Sequence, residues 1–229
     1  MRKKTAELID KLHIIIDDVR RTGEDDDFAA DKDAELREAL LTGAEQVTAE
    51  APTDALLATD VLASLGGNQD YDAIQTQYTD GHGTLVVPED FLRIVELRLK
   101  SWSQTVTSLM EAESQEAQMQ ACRWTRGTPQ KPKARLSTDS SGNRVVVYWT
   151  AGRYQYPSGE ALTNVYDHKV ERFTYAPYPR FETEAGTEYL NAPLADGCER
   201  AILYRAAGVF MEAKKEIAMA DRFYQLGRV

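Results

Sequence analysis

Cysteine and histidine are scarce: the 229 residues hold two of the first and three of the second. Cys122 and Cys198 have no CxxC spacing and no histidine pair nearby, so neither a zinc ribbon nor a redox motif can be assembled. Both read as small buried hydrophobes of a chain made in a reducing cytoplasm, with a disulfide or a reactive thiol as the alternative. Long apolar runs are missing as well. The best candidates, Leu85-Val86-Val87 and Val145-Val146-Val147-Tyr148-Trp149, have the length of strands, well short of the roughly 18 residues a membrane span needs. Met1-Arg2-Lys3-Lys4 carries the charge of a signal-peptide head. Glu7, Asp10 and Lys11 interrupt what should be its apolar stretch, which argues against secretion.

Catalytic signatures are equally thin. No P-loop, dinucleotide fingerprint, HExxH or GxSxG occurs, and His13 and His168 are isolated. Gly81-His82-Gly83-Thr84-Leu85-Val86 resembles the histidine motif of subtilisin-like proteases. A histidine base needs an orienting aspartate and a nucleophilic serine, and neither partner motif is present; Pro88 also follows too soon for the required helix. The segment reads as a glycine-rich turn into a strand. Asp25, Asp26, Asp27, Asp31 and Asp33 lack the alternating ligand spacing and central glycine of a calcium loop; they read as a solvated loop before a helix N-terminus. Scattered carboxylates cannot carry a glycosidase reading. No catalytic, metal-binding or cofactor-binding residue is assigned, and the chain is expected not to be an enzyme.

What the chain does have is a lopsided charge. The net value is −10, with 42% hydrophobic and 28% charged residues, ordinary for a globular protein. Residues 1–80 hold 19 acids and 8 bases, whereas residues 81–229 hold 18 and 19. This asymmetry argues against general nucleic-acid binding, which wants a concentrated basic surface.

The periodicities predict an α+β chain. Leu8, Ile9, Leu12, Ile15, Ile16 and Val19 recur at helical spacing, with Thr5 as a start and Gly23 as a stop. A second helix from about Asp33 carries Leu36, Leu40, Ala44 and Val47. Pro52 ends it and opens a short third helix with Leu56, Leu57 and Val61. Gly66-Gly67-Asn68 is a turn, and the polar segment up to Gly83 a loop. From Thr84 the period becomes two, with Arg93, Val95, Leu97 and Leu99 on a mostly apolar face and Ile94, Glu96, Arg98 and Lys100 on a mostly polar one. A short helix over 113–121, a loop marked by Gly127, Pro129 and Pro132, and strands over 144–149 and 168–175 follow; Ala176-Pro177-Tyr178-Pro179 ends the sheet. The expected division is a helical region 1–83, a β-rich part 84–180 with the short helix, and a terminal segment 181–229 packing with the N-terminal helices. In that last segment Leu194, Cys198, Ile202, Val209, Ala213, Ile217, Ala220 and Tyr224 predict one helix of about thirty residues.

Three features suggest contacts. Arg123, Arg126, Lys131, Lys133 and Arg135 lie in a stretch with no acid between Glu116 and Asp139, which suits an acidic neighbour, DNA phosphate, or only solvent. The complement of this stretch could be the acidic amino-terminal part of another copy. Ala206-Ala207-Gly208 removes side-chain bulk inside the terminal helix, and a mid-helix glycine costs about 1 kcal/mol against alanine, so a second backbone is expected close by. Phe223, Tyr224 and Leu226 put large hydrophobic side chains near the end, either docked on their own domain or buried against a partner.

Val87-Pro88-Glu89-Asp90-Phe91-Leu92-Arg93 running into Ile94–Lys100 and Ser101-Trp102; Arg126-Gly127-Thr128-Pro129 through Lys131-Pro132 before an asparagine-turn hairpin; and Ala201-Ile202-Leu203-Tyr204-Arg205-Ala206-Ala207 with Met219-Ala220-Asp221-Arg222-Phe223-Tyr224 together resemble the head-to-tail connector, or adaptor, proteins of tailed bacteriophages, short-tailed and crAss-like phages above all. The order and spacing of the three stretches carry the match, which covers most of the chain from residue 31 onward; Gln69–Gly83 departs from it. The resemblance implies a structural virion protein made in the host bacterial cytoplasm. Its copies would form a closed ring, roughly twelvefold, through heterologous interfaces. The ring would join the portal to neighbouring tail or ring proteins, with DNA passing through its channel without specific binding and no membrane involved. A cytoplasmic bacterial adaptor or chaperone-like binding module is the alternative, and a hydrolase a weaker third.

Overall fold

The computed structural model describes residues 1–20, 32–65, 70–77, 82–122, 124–150, 154–155, 163–164 and 168–228. The chain runs through β1 (Arg2–Lys4), α1 (Thr5–Arg20), α2 (Asp33–Glu50), β2 (Thr59–Asp60), α3 (Val61–Ser64), α4 (Tyr71–Ile74), β3 (Gln75–Gln77), β4 (His82–Val86), β5 (Phe91–Leu99) and α5 (Gln115–Met119). There follow β6 (Lys133–Thr138), β7 (Arg144–Trp149), β8 (Tyr154–Gln155), β9 (Thr163–Asn164), β10 (Val170–Pro177), β11 (Arg180–Glu184), β12 (Thr187–Asn191), α6 (Glu199–Ala213) and α7 (Ile217–Leu226). The fold is α+β with antiparallel sheets.

The chain divides into two compact units. Residues 1–57 and 176–229 form the first and residues 58–175 the second, so the boundary expected after residue 83 falls instead after residue 57.

In the first unit the helical periodicities act as expected. Leu8, Leu12 and Ile16 of α1 and Leu36, Leu40, Ala44 and Val47 of α2 are buried, and both helices pack on α6. A three-stranded sheet of order β1–β12–β11 belongs to this unit. Arg37 of α2 ties the helices to it. Its guanidinium donates to both Glu188 carboxylate oxygens, at 2.7 and 3.0 Å, and lies 4.1 Å from the Phe181 ring centre. Such a forked, charge-assisted pair fixes orientation as well as distance.

Three expectations are corrected here. The terminal segment is not one long helix: its first part is the β11–β12 hairpin, and the helical part is α6 and α7 with a break at Lys214-Lys215. Lys215 takes φ 65°. Its amide donates to Glu212 O and the Glu216 amide to Met211 O, both at 2.9 Å, which is the hydrogen-bond pattern of a Schellman cap. Ala213 and Ile217 of the predicted stripe are therefore exposed, and Ala220 and Phe223 carry the buried face of α7. Second, Pro52 leads into a 3₁₀ turn, Thr53–Ala55, and Leu57 is exposed; the helical turn with Val61 is the separate α3. Third, Cys198 is buried but Cys122 is exposed.

The second unit is built on two sheets, one of order β2–β10–β5 and one of order β3–β4–β7–β6. Their shared core includes Leu85, Phe91, Leu97, Trp102, Val146, Tyr148, Phe173 and Tyr175. Phe91 stacks on Tyr175 at 5.5 Å, and Trp102 meets Tyr148 edge-on at 5.9 Å. Alternation along β7 sends Val146 and Tyr148 into this core, leaving Val147 and Trp149 on the opposite face.

Candidate interaction site

That opposite face carries most of the described basic residues predicted from sequence. In the sheet register, Trp149 of β7 lies opposite Lys133 on one side and His82 on the other, and Val147 lies opposite Arg135 and Thr84. Residues paired in this way point to the same side. Together with α5 they form a groove of about 370 Å³ lined by His82, Ala117, Gln118, Gln120, Ala121, Arg126, Arg135, Val147 and Trp149.

The loop after α5 is shaped to complete it. Ser114 caps α5 by accepting the Ala117 amide. Gln120, buried to 2% exposure, then ties the helix end to the loop: its Nε2 donates to Glu116 O at 2.9 Å and its Oε1 accepts the Gly127 amide at 2.8 Å. Arg126 Nε donates to Gln120 O at 2.9 Å. A Cβ on Gly127 would lie 2.6 Å from Trp149 O, so the loop passes against β7 only because that residue is glycine.

Of the five basic residues, Arg126 and Arg135 line the groove. Arg135 lies over the Trp149 ring at 5.4 Å, and its Nε is buried with no hydrogen-bond partner. Lys133 is paired with Glu116, and Lys131 is exposed in the tight turn closed by Thr128 and Lys131. Arg123 lies outside the described residues. Sequence reasoning missed Trp124, which is 90% exposed beside this loop. A tryptophan ordinarily reads as core, and its only sequence signal is its place within the basic stretch.

Gly83, the glycine that follows His82, has a structural role. A Cβ on Gly83 would lie 2.2 Å from the Tyr148 hydroxyl, so β4 needs glycine to cross that ring. Among the described residues lining the groove with His82 there is no serine, cysteine or carboxylate. Burial pushes the Tyr148 phenol up to about 12, while the hydrogen bond from Gln75 Nε2 at 2.6 Å works in the other direction.

In the first unit, Ala206 and Ala207 are fully buried. The second backbone arrives at Ala206, and it is that of Gly43 in α2; Gly208 instead receives the Tyr224 ring, 2.6 Å from where its Cβ would be. The partner-docking assignment of Phe223 is corrected, because that ring is fully buried in its own unit and stacks on Tyr204 at 6.4 Å. Tyr224, packed on Gly208, donates to Glu212 at 2.6 Å. Only Leu226 of the three is exposed.

Among the described residues, no helix is long and apolar enough to cross a membrane, and no group of three histidine, cysteine or acidic side chains is placed to hold a metal. Comparison with protein-family models gave no match, and comparison with curated proteins gave none.

Proposed function

We propose that the chain is a subunit of a head-to-tail connector ring of a tailed bacteriophage, built into the virion between portal and tail around the DNA channel. The observation that carries this reading is the groove of the second unit. Among the described residues it is a recessed surface with two guanidinium groups, no carboxylate in its lining and an exposed tryptophan beside it, in a chain whose net charge is −10. A closed ring needs two different complementary faces on each copy, and a basic groove on a strongly acidic chain supplies one of them. The resemblance of three stretches to connector proteins supports the same reading. Acidity also suits a channel wall, since a surface that passes DNA must not hold its phosphates.

The test is electron microscopy and native mass measurement of the chain, alone and with portal-containing particles. A closed ring of roughly twelve copies seated on the portal is the expected result. A chain that stays monomeric under both conditions overturns it and favours the adaptor or chaperone-like module.

A further inference from the structure

We infer that the groove between α5 and the β4–β7–β6 face docks the acidic run Glu24-Asp25-Asp26-Asp27-Phe28 of a second copy of this chain. The inference rests on the connector reading in taking the occupant from another copy; the preference for an acidic segment stands on the groove alone.

Arg126 and Arg135 line the groove, and the nearby carboxylate of Glu116 is already engaged by Lys133. Arg135 Nε is buried without an acceptor. A desolvated donor of this kind is costly unless something supplies one. A carboxylate does so with a charge-assisted bond. The volume of about 370 Å³ falls in the range of about 300–1,000 Å³ typical of ligand sites, room for a few side chains rather than a domain. The lining also has apolar parts, Val147, Trp149 and Ala117, and Trp124 stands exposed two residues from Arg126. An occupant that fits is a short acidic segment with an aromatic side chain.

The sequence holds such a segment: four consecutive acids followed by Phe28. Duplex DNA fits less well. Its binding wants a broad basic surface, whereas here Lys133 is neutralised by Glu116 and two arginines sit in a recess.

Two variants of the full chain test this. The groove variant carries Arg126→Glu and Arg135→Glu, with Arg126→Gln and Arg135→Gln as the milder form should the first fail to fold. The acid variant carries Glu24→Gln, Asp25→Asn, Asp26→Asn and Asp27→Asn. Each alone is expected to lose assembly with unchanged circular dichroism. Mixed in equal amounts they should form dimers and nothing larger, because one intact groove and one intact acidic run remain per pair. A synthetic peptide of residues 22–31 should bind the acid variant and shift tryptophan emission to the blue. Its affinity should fall about tenfold or more, equivalent to about 1.4 kcal/mol or more, when the groove changes are added.

Rings that form equally well from the groove variant overturn this inference and leave the connector reading standing. Peptide binding in a chain that never forms rings does the reverse for the connector reading. Peptide binding without dimers in the mixture overturns the second copy as occupant. Duplex DNA that displaces the peptide at equal charge concentration overturns the acidic segment.

Discussion

Gly43 of α2 and Ala206 of α6 meet backbone to backbone, with the position of a Cβ on Gly43 only 2.7 Å from the Ala206 amide nitrogen and 3.1 Å from the Ile202 carbonyl oxygen. Neither atom can move without displacing a helix. Gly43→Ala gains about 1 kcal/mol of helix propensity but forces the helices apart, at about 1–3 kcal/mol for overpacking. The expected outcome is a lower urea midpoint; a raised midpoint contradicts the close approach.

Lys215 and Ala185 hold φ of 65° and 49°, a region that L side chains rarely occupy. Lys215 is the C′ residue of a Schellman cap, and Ala185 with Gly186 (φ 79°) forms the two-residue loop between β11 and β12. Lys215→Gly and Ala185→Asn should each raise stability by roughly 1 kcal/mol or less, since glycine and asparagine adopt this conformation more readily. Thermal unfolding of the two single variants checks this.

Phe223 and Leu226 lie one turn apart on α7, yet the first is fully buried and the second half exposed at the helix end. Phe223→Ala should cost about 3–5 kcal/mol, whereas Leu226→Ser should stay within about 0.5 kcal/mol. Deleting residues 223–229 should therefore unfold the first unit, seen as a loss of helical circular dichroism, rather than only weaken a contact.

Tyr148 and Tyr71 have phenols pushed up to about 12, in both cases first by burial; for Tyr71 a hydrogen bond donated to Asp60 adds to the shift. In the unfolded chain both ionise near pH 10. Their raised pKa values therefore contribute stability that is complete below about pH 10 and is lost as pH climbs to about 12. Denaturant titrations across this window should show the decline, and Tyr148→Phe should lessen it. Tyrosinate absorbance should show these phenols among the last of the eleven to titrate.

Much of the fold was legible where burial follows a simple period. Leu36, Leu40, Ala44 and Val47 announce α2, and the alternation through Val95, Leu97 and Leu99 announces β5. What escaped depends on backbone conformations that the residues do not advertise. Lys215 ends α6 in a position usually held by glycine, and Ala185-Gly186 lacks the asparagine-glycine signal of a tight hairpin. Arg2–Lys4 forms an edge strand though all three residues are charged, because pairing with β12 satisfies its backbone. At the groove, the acid-free stretch revealed Arg126 and Arg135. That Lys133 is spent on Glu116, and that Trp149 and His82 share the same face, follows only from strand register.

The first unit is assembled from both ends of the chain, and this sets an order on synthesis. α2 leaves the ribosome with its face of Leu36, Leu40 and Gly43 complete, yet α6, the helix it packs against, begins roughly 150 residues later. At about 5–20 residues per second that is a wait of roughly eight to thirty seconds. During that interval the second unit, continuous over residues 58–175, can close its own core. Nascent chains in which residue 175 has emerged from the ribosome but Glu199 has not should therefore expose the apolar faces of α1 and α2 to chaperones while the β-rich unit that follows them in sequence is already folded.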